Sequence, residues 1–268
     1  KVRGEYDQRP DFTGLFNHSM ILGPVSGLSI ITLSYYLMGQ NSNKKKIFYI
    51  VLLILCILSL ITAGSRGAIA GTIIGLIFLF YKKIKKNIFK SSKNILIIMF
   101  LAFSTFSIWG DYTDFVISKF NTGSLENNII FSRELKWLFR IEEFIKSPFF
   151  GVGFGTIDPN SLETFDRQTG TIEPGSSWLS ILSMTGLIGF LAFIAMLFRL
   201  YKKRTNSKLY SYLIAYLSFF LIHFVFEGYI LASGSLMFFC FWLLLGLLFT
   251  FKKHPEFLTN NKIIKDWR

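Results

Sequence analysis

Seven apolar segments divide the chain, and they constrain its fold more than any other feature. Four of them precede residue 110 and three follow residue 177. Most approach the roughly 20 residues that a helix needs to cross a bilayer core, although the third is shorter. Backbone groups inside a bilayer must find hydrogen-bond partners within the protein, so such segments cross as helices. The sequence predicts an all-α polytopic membrane protein with a bundle of about seven spans, at Met20–Met38, Ile47–Ala63, Ala68–Tyr81, Ile95–Trp109, Trp178–Phe198, Leu209–Phe226 and Leu236–Phe251.

The overall composition agrees with a membrane protein and argues against other classes. Of the 268 residues, 51% are hydrophobic and 31 are Phe, which is unusual for a soluble domain. The net charge of +13 comes from basic residues that alternate with apolar runs, as at the cytoplasmic ends of membrane helices, so we expect no nucleic-acid partner. Cys56 and Cys240 both lie inside apolar runs and predict neither a disulfide framework nor a cysteine-rich metal site. The first residue is Lys1 rather than Met, and residues 1–16 are polar with no signal-peptide pattern. We therefore expect the chain to be the later part of a longer polypeptide.

The distribution of charge between the connecting segments predicts an orientation in the membrane. One alternating set of connections holds 19 of the 29 basic residues and two of the 16 acidic ones. Lys and Arg concentrate on the cytoplasmic side, so this set is predicted to be cytoplasmic and the other set extracytoplasmic. The predicted order is an extracytoplasmic segment 1–19, four spans within 20–109, a large extracytoplasmic loop 110–177, three spans within 178–251 and a cytoplasmic tail 252–268.

The turn "AGSRGA" places Arg66 between two apolar runs, at the extracytoplasmic end of the second and third spans. Ser65 is predicted to cap a helix that begins at Gly67 or Ala68. A helix N-terminus offers free N–H groups and a partial positive charge, so an adjacent arginine predicts an anion site at the level of the lipid headgroups. The alternative is that Arg66 pairs with an acid or a lipid phosphate and only fixes the topology.

The stretch "SRELKWLFRIEEFIKSPFFG" predicts an amphipathic helix at 133–146 within the long loop, ended by Pro148. Its apolar side is Leu135, Leu138, Phe139, Ile141 and Ile145. Arg133, Trp137 and Arg140 share another face, where both guanidinium groups could meet a headgroup or a phosphorylated ligand. Solvated charges on an interfacial helix are the alternative.

Two further motifs lie between this helix and the fifth span. "GVGFGT", Gly151–Thr156, does not have the spacing or context of a nucleotide-binding loop, and it predicts a tight turn that approaches the substrate or a re-entrant loop. "EPGSSWLSIL" puts Ser176 and Ser177 at a second outward-facing helix N-terminus, which predicts another anion or sugar-hydroxyl site. Glu173 is a base or a sugar ligand there, or a solvated loop acid.

Histidines at the predicted outer face complete the set of ionisable residues. His223 and Glu227 are four residues apart at the outer end of the sixth span, so one helix face would carry both, as functional groups or as a structural pair. His18 precedes the first span, and Arg9 stands nearby in sequence. No spacing of His, Asp, Glu or Cys predicts a metal site, and no cofactor is predicted.

Several segments together resemble the superfamily of bacterial O-antigen ligases and O-antigen or exopolysaccharide polymerases. They are "FTGLFNHSMILG", "TAGSRGA", "SRELKWLFRIEEFIKSPFFGVGFGT", "SSWLSILSMTGLIGFLAFIAML" and "HFVFEG". The resemblance implies the C-terminal part of a larger GT-C-like membrane fold. It also implies a multi-pass enzyme of the bacterial cytoplasmic membrane that transfers a glycan from undecaprenyl diphosphate on the extracytoplasmic side, without a nucleotide sugar. Its expected partners are a polyprenyl-diphosphate-linked oligosaccharide, membrane lipids and other polysaccharide assembly proteins.

One departure from the family pattern favours a polymerase over a ligase. Ligases of this superfamily often carry a His-Asn-type motif before the span with the "TGLIGF" pattern, where this chain has Glu173, Ser176 and Ser177. The resemblance then implies a division of roles. The catalytic residues would be Arg66, Arg133, Glu173, His223 and Glu227, and the substrate-binding residues Arg9, His18, Trp137, Arg140, Ser176 and Ser177.

Three other functions remain as alternatives. One is a ligase that transfers the glycan to a lipid or protein acceptor. Another is a flippase or transporter of lipid-linked sugars, although charge is nearly absent from the middle of the spans. The third is an assembly protein without chemistry.

Overall fold

The structure is a computed structural model that describes residues 14–16, 19–86, 131–154, 165–166, 171–172, 175–202, 207–232 and 234–254. The helices in these ranges are α1 (Ser19–Gly39), α2 (Asn43–Thr62), α3 (Arg66–Lys86), α4 (Phe131–Lys146), α5 (Ser177–Lys202), α6 (Lys208–Phe226) and α7 (Leu236–Lys253). Strands β1 (Phe165–Asp166) and β2 (Thr171–Ile172) form a short antiparallel pair with Phe165 opposite Ile172.

Six of the seven predicted apolar segments are confirmed as helices, and the fourth, Ile95–Trp109, lies outside the described residues. Five helices are long and apolar enough to cross a membrane, namely α1, α2, α5, α6 and α7. Helix α3 contributes a shorter apolar stretch, Arg66–Tyr81. The described part of the chain is therefore a polytopic helical membrane protein, as predicted.

Close packing of α3 against α6 forms the centre of the bundle. Glycines recur at every fourth position of α3, and a Cβ atom at Gly71 would lie 2.9 Å from the carbonyl oxygen of Phe219. At Gly75 it would lie 3.1 Å from the carbonyl oxygen of Ala215. Small residues at this spacing let two membrane helices approach backbone to backbone. A Cβ atom at Gly67 would lie 3.1 Å from the side chain of Phe226, so the two helices are antiparallel and the first turn of α3 lies beside the end of α6.

The ends of the other helices assemble around this pair. The start of α1 lies by the α2–α3 turn, because a Cβ atom at Gly23 would meet the side chain of Ser65 at 2.6 Å. The first turn of α5 is hydrogen-bonded to the end of α6 through Ser177 and Glu227. We call this side of the bundle the Arg66 end. The opposite end holds the lysine-rich start of α2 and the ends of α5 and α7, which is the grouping of connections that the charge distribution predicts.

Helix α5 is interrupted at Gly186, where φ is 64° and ψ is −170°. The break leaves N–H and C=O groups of α5 without partners inside the helix, and residues 148–153 form hydrogen bonds with them. Val152 N–H donates to Ser183 O (2.9 Å) and Gly153 N–H to Met184 O (3.1 Å), while Leu187 N–H donates to Pro148 O (2.8 Å) and Ile188 N–H to Phe149 O (3.3 Å). Non-helical backbone at membrane depth is tolerated only when protein or water satisfies it in this way.

The predicted amphipathic helix is confirmed as α4, which begins two residues earlier than expected and ends two residues before Pro148. Its apolar residues Leu138, Ile141 and Ile145 are exposed. The side that is buried carries Arg140 and Glu143, and α4 packs against α5. This helix therefore turns polar groups towards the protein and apolar groups outward, as expected of a helix that lies at a lipid interface.

Candidate active site

Arg66 occupies the first position of α3, one residue before the predicted start of the helix. The Oγ of Ser65 accepts a hydrogen bond from the N–H of Ala68 at 3.4 Å, which confirms Ser65 as the N-cap. Gly64, with φ of 63°, makes the sharp turn between α2 and α3. The side chain of Arg66 is exposed, so its charge stands at the surface of the Arg66 end beside a helix N-terminus.

The end of α6 continues into an extended segment, residues 227–230, that is fixed by α5 and α7. Glu227 O accepts hydrogen bonds from the N–H (3.0 Å) and the Oγ (2.6 Å) of Ser177. Ser177 Oγ also accepts from Ile230 N–H (3.2 Å), and Trp242 Nε1 donates to Ile230 O (3.1 Å). The 227–230 segment is thus held at both of its ends.

Ser176 and Ser177 use their hydroxyl groups within the protein. Ser176 Oγ donates to Phe224 O at 3.1 Å, and both serine side chains are buried. Their predicted position at the start of α5 is correct, because α5 begins at Ser177. Both hydroxyl groups therefore form hydrogen bonds that connect the start of α5 to the end of α6.

His223 and Glu227 are not on one helical face, because α6 ends at Phe226. Glu227 is the C-cap residue with extended backbone (φ −132°, ψ 141°), and its N–H donates to His223 O. Both side chains are buried, His223 fully and Glu227 to 9% exposure. The Nδ1 of His223 forms a hydrogen bond with the hydroxyl of Tyr229, and its ring stacks on Phe219 at 5.5 Å.

Tyr229 lies in the 227–230 segment, outside the membrane-spanning helices. Burial raises the pKa of its phenol well above the ordinary value, and the charge of Glu227 raises it further. The hydroxyl therefore keeps its proton throughout the physiological range and can donate a hydrogen bond.

Helix α4 brings a buried ion pair to the same end of the bundle. Arg140 Nη1 lies 2.7 Å from Glu143 Oε2, and Arg140 is only 3% exposed. Among the described residues, its buried Nε has no hydrogen-bond partner. Trp137 Nε1 donates to Gly175 O at 3.4 Å, which ties α4 to the turn before α5. Arg140 is thus neutralised within the protein by the Glu143 carboxylate.

Other predicted site residues have no described side chain. The backbone of Arg133 belongs to α4, but its side chain is not described. Glu173, Arg9 and His18 lie outside the described residues. Two residues were missed by the sequence predictions. Glu143 could have been found as an i+3 neighbour of Arg140, but the helix alone does not show which side is buried. Tyr229 carries no sequence signal, because its contact with His223 depends on the bend after α6.

An apolar cleft of about 460 Å³ lies beside the 227–230 segment. Residues at successive turns of α5 line it. Thr185 is the one hydroxyl among the described lining residues, and it donates to Ile181 O at 2.7 Å. Its lining is Phe154, Ile181, Thr185, Gly189, Phe193, Ile230, Leu231, Phe238 and Trp242. Such a surface suits a hydrocarbon chain, and the described lining residues include no charged side chain that could bind a phosphate.

The described residues contain no group of three His, Cys, Asp or Glu side chains that could hold a metal ion. Comparison with protein families then gives a match. The O-antigen ligase family matches residues 51–194, a little over half of the chain. The chain belongs to the O-antigen ligase family. No curated protein and no solved structure matches it.

Membership of the O-antigen ligase family confirms the superfamily that the motifs resemble, in which the enzymes are membrane glycosyltransferases that act as ligases or polymerases. The matched residues contain Arg66, Arg133, Arg140, Glu173 and the serines at the start of α5. His223, Glu227 and Tyr229 lie beyond them, and so does His18. The arginine-bearing helices are thus the part shared with the family, and the residues at the end of α6 must be argued from their contacts.

Proposed function

We propose that this protein polymerises polysaccharide repeat units, by transferring a glycan from undecaprenyl diphosphate at the outer face of the bacterial cytoplasmic membrane. The observation that carries the proposal is an exposed arginine at a helix N-terminus, Arg66, on the bundle end where the buried acid Glu227 is also held. A diphosphate leaving group needs fixed positive charge, and a sugar hydroxyl needs a nearby base.

In this proposal an acceptor hydroxyl oxygen attacks the anomeric carbon of the donor. The bond between that carbon and the diphosphate oxygen breaks, and its electron pair leaves with the polyprenyl diphosphate. The hydroxyl proton passes to a carboxylate, Glu227 or Glu173. Arg66 and the N–H groups at the start of α3 take up the charge that develops on the leaving oxygen, with Arg133 as a second cation from α4.

The apolar cleft supports a donor carried on a lipid. It adjoins Ile230 at the end of the 227–230 segment, so a prenyl chain lying in it would bring its diphosphate towards that segment. A soluble nucleotide sugar would have no use for such a surface.

Polymerase is favoured over ligase because Glu173, Ser176 and Ser177 stand where ligases often carry a His-Asn-type motif. The protein, reconstituted in vesicles, would be given a polyprenyl-diphosphate-linked oligosaccharide. A ladder of repeats supports the polymerase, and single transfer to an added acceptor lipid supports the ligase. Translocation of the lipid without a new glycosidic bond would refute both.

Replacing Arg66 tests the proposed leaving-group site. Arg66→Ala is expected to lower polymer formation about 100-fold or more, the usual effect of removing one group that stabilises developing charge. Arg66→Lys should also lose activity if two phosphate oxygens are held by one guanidinium. Because Arg66 is exposed, both variants should reach the membrane in normal amounts.

The matched control is Arg199→Ala, which removes an exposed arginine near the opposite end of α5. It should leave polymer formation unchanged. Full activity of the Arg66→Ala variant would exclude Arg66 from the chemistry.

A further inference from the structure

Tyr229 and His223 form a buried contact for which no role has yet been given. Because His223 is fully buried, a substrate at the surface does not reach it in this conformation. Its Nδ1 already faces the hydroxyl of Tyr229. The contact therefore has to act through the protein rather than on the substrate directly.

The direction of this hydrogen bond follows from the hydroxyl of Tyr229. The bond to His223 is the only hydrogen bond that this hydroxyl makes among the described residues. If a neutral His223 donated from Nδ1, the phenol proton and the Nε2 lone pair would both be buried without a hydrogen bond, whereas donation by Tyr229 leaves only the Nε2–H without an acceptor among the described residues. Tyr229 therefore donates, and His223 is the neutral tautomer with its proton on Nε2.

The contact spans a bend in the chain. His223 belongs to the last turn of α6, whereas Tyr229 follows the helix, and Glu227 lies between them with extended backbone. Ser177 fixes the segment on one side through Glu227 O and Ile230 N–H. The bond from Tyr229 to His223 is the side-chain link that folds the segment back onto α6. Glu227 is consequently held between two anchored points.

We infer that Tyr229 is a positioning residue for Glu227, and that it acts by donating a hydrogen bond to His223. His223 serves as the acceptor of this bond and not as the general base. The inference rests on the proposed function only for its rate measurements, because the tautomer of His223 can be observed without any reaction.

Amide variants of His223 separate the two roles of the imidazole. The side-chain oxygen of His223→Asn takes the place of Nδ1 and can accept the bond from Tyr229, whereas the oxygen of His223→Gln takes the place of Nε2. His223→Asn is expected to keep most of the polymerase activity, and His223→Gln to lose about tenfold. Equal and severe loss in both variants would show that His223 transfers protons and would overturn the inference.

The hydroxyl of Tyr229 is tested by Tyr229→Phe, which keeps the ring in its contacts with Phe220 and Phe224. The turnover number should fall about tenfold with the KM for the donor little changed. In a Glu227→Gln background the same substitution should cause no further loss, because a positioning residue has nothing left to position. A further tenfold loss there would mean a general structural role. The matched control is Tyr201→Phe, which removes the hydrogen bond to Ser218 elsewhere in the bundle.

Nitrogen NMR of histidine-labelled protein in nanodiscs reads the tautomer directly. The signal of His223, identified by its loss in His223→Asn, should report an unprotonated Nδ1 and a protonated Nε2 in the unsubstituted protein, and should change in Tyr229→Phe. A protonated Nδ1 in the unsubstituted protein would overturn the inference. If the tautomer is as expected but no polymer forms under any condition, the proposed function fails and the hydrogen bond stands.

Discussion

The charged side chains at the Arg66 end differ more in their surroundings than in their chemistry. Arg66 is exposed at a helix start, whereas Arg140 is buried against Glu143. A buried pair contributes little net stability, since desolvation offsets the attraction, but removing one partner leaves an uncompensated charge. The two arginines are therefore expected to respond differently to substitution.

Glu143→Gln should destabilise the protein strongly, because it leaves the Arg140 guanidinium buried without its carboxylate. Breaking such a pair costs about 3–5 kcal/mol, which would appear as a clear fall in the melting temperature of protein in detergent. Glu142→Gln, at an exposed neighbour on the same helix, is the control and should leave the melting temperature unchanged. Equal melting temperatures for the two variants would contradict the buried pair.

The double variant Arg140→Met/Glu143→Leu then separates structure from binding. Replacing both partners with apolar residues should recover most of the stability that Glu143→Gln loses. If Arg140 serves only this pair, polymer formation should recover as well. Stable protein without activity would show that Arg140 binds the substrate, as its face on the helix suggested from the sequence.

At the scale of elements, α5 depends on the segment 148–153 that fills its break. A Cβ atom at Gly186 would lie 2.3 Å from the carbonyl oxygen of Phe149, and one at Gly151 would lie 2.3 Å from the carbonyl carbon of Met184. The two glycines let the chains approach backbone to backbone. The sequence predicts that the backbone of "GVGFGT" approaches the substrate or forms a re-entrant loop, whereas in the described part of this motif Val152 and Gly153 donate their N–H groups to α5.

Gly186→Ala should damage the fold at this junction. The backbone conformation of Gly186, with positive φ and extended ψ, is essentially restricted to glycine and costs another residue about 1–3 kcal/mol, and the clash with Phe149 adds to that. We expect a lower melting temperature and a reduced yield of folded protein. Gly246→Ala, in an open position of α7, should be neutral or slightly stabilising. A Gly186→Ala variant as stable as Gly246→Ala would rule out the interrupted helix.

The elements that could be predicted were those whose signal is local. Spans, the Ser65 cap and the amphipathic helix all follow from hydropathy, spacing and capping residues within one stretch of chain. The break at Gly186 and the bend after Phe226 depend on partners distant in sequence, Pro148–Gly153 and Ser177. Hydropathy continues smoothly through Gly186, so the fifth span is predicted as one uninterrupted helix, whereas the structure divides it.

At the scale of the whole molecule, the pairing of helix ends matches the distribution of charge. Residues that share the Arg66 end are far apart in the chain, yet the α3–α6 packing and the Ser177 bonds bring them together. Glycines at every fourth position of α3 carry part of this information. The remainder, including which side chains of α4 are buried, depends on tertiary contacts that no local pattern encodes.

The same pairing predicts which positions are reached from each side of the membrane. Ser42, between α1 and α2, and Glu142, on α4, are both exposed and belong to opposite ends of the bundle. Single cysteines would be placed there in a Cys56→Ala/Cys240→Ala background. In spheroplasts a membrane-impermeant maleimide should label Glu142→Cys and should not label Ser42→Cys until the membrane is made permeable, because the lysine-rich end is expected to face the cytoplasm. Labelling of Ser42→Cys in intact spheroplasts would invert the molecule and place Arg66 on the cytoplasmic side, where a nucleotide-linked donor would have access and the proposed lipid-linked reaction would lose its basis.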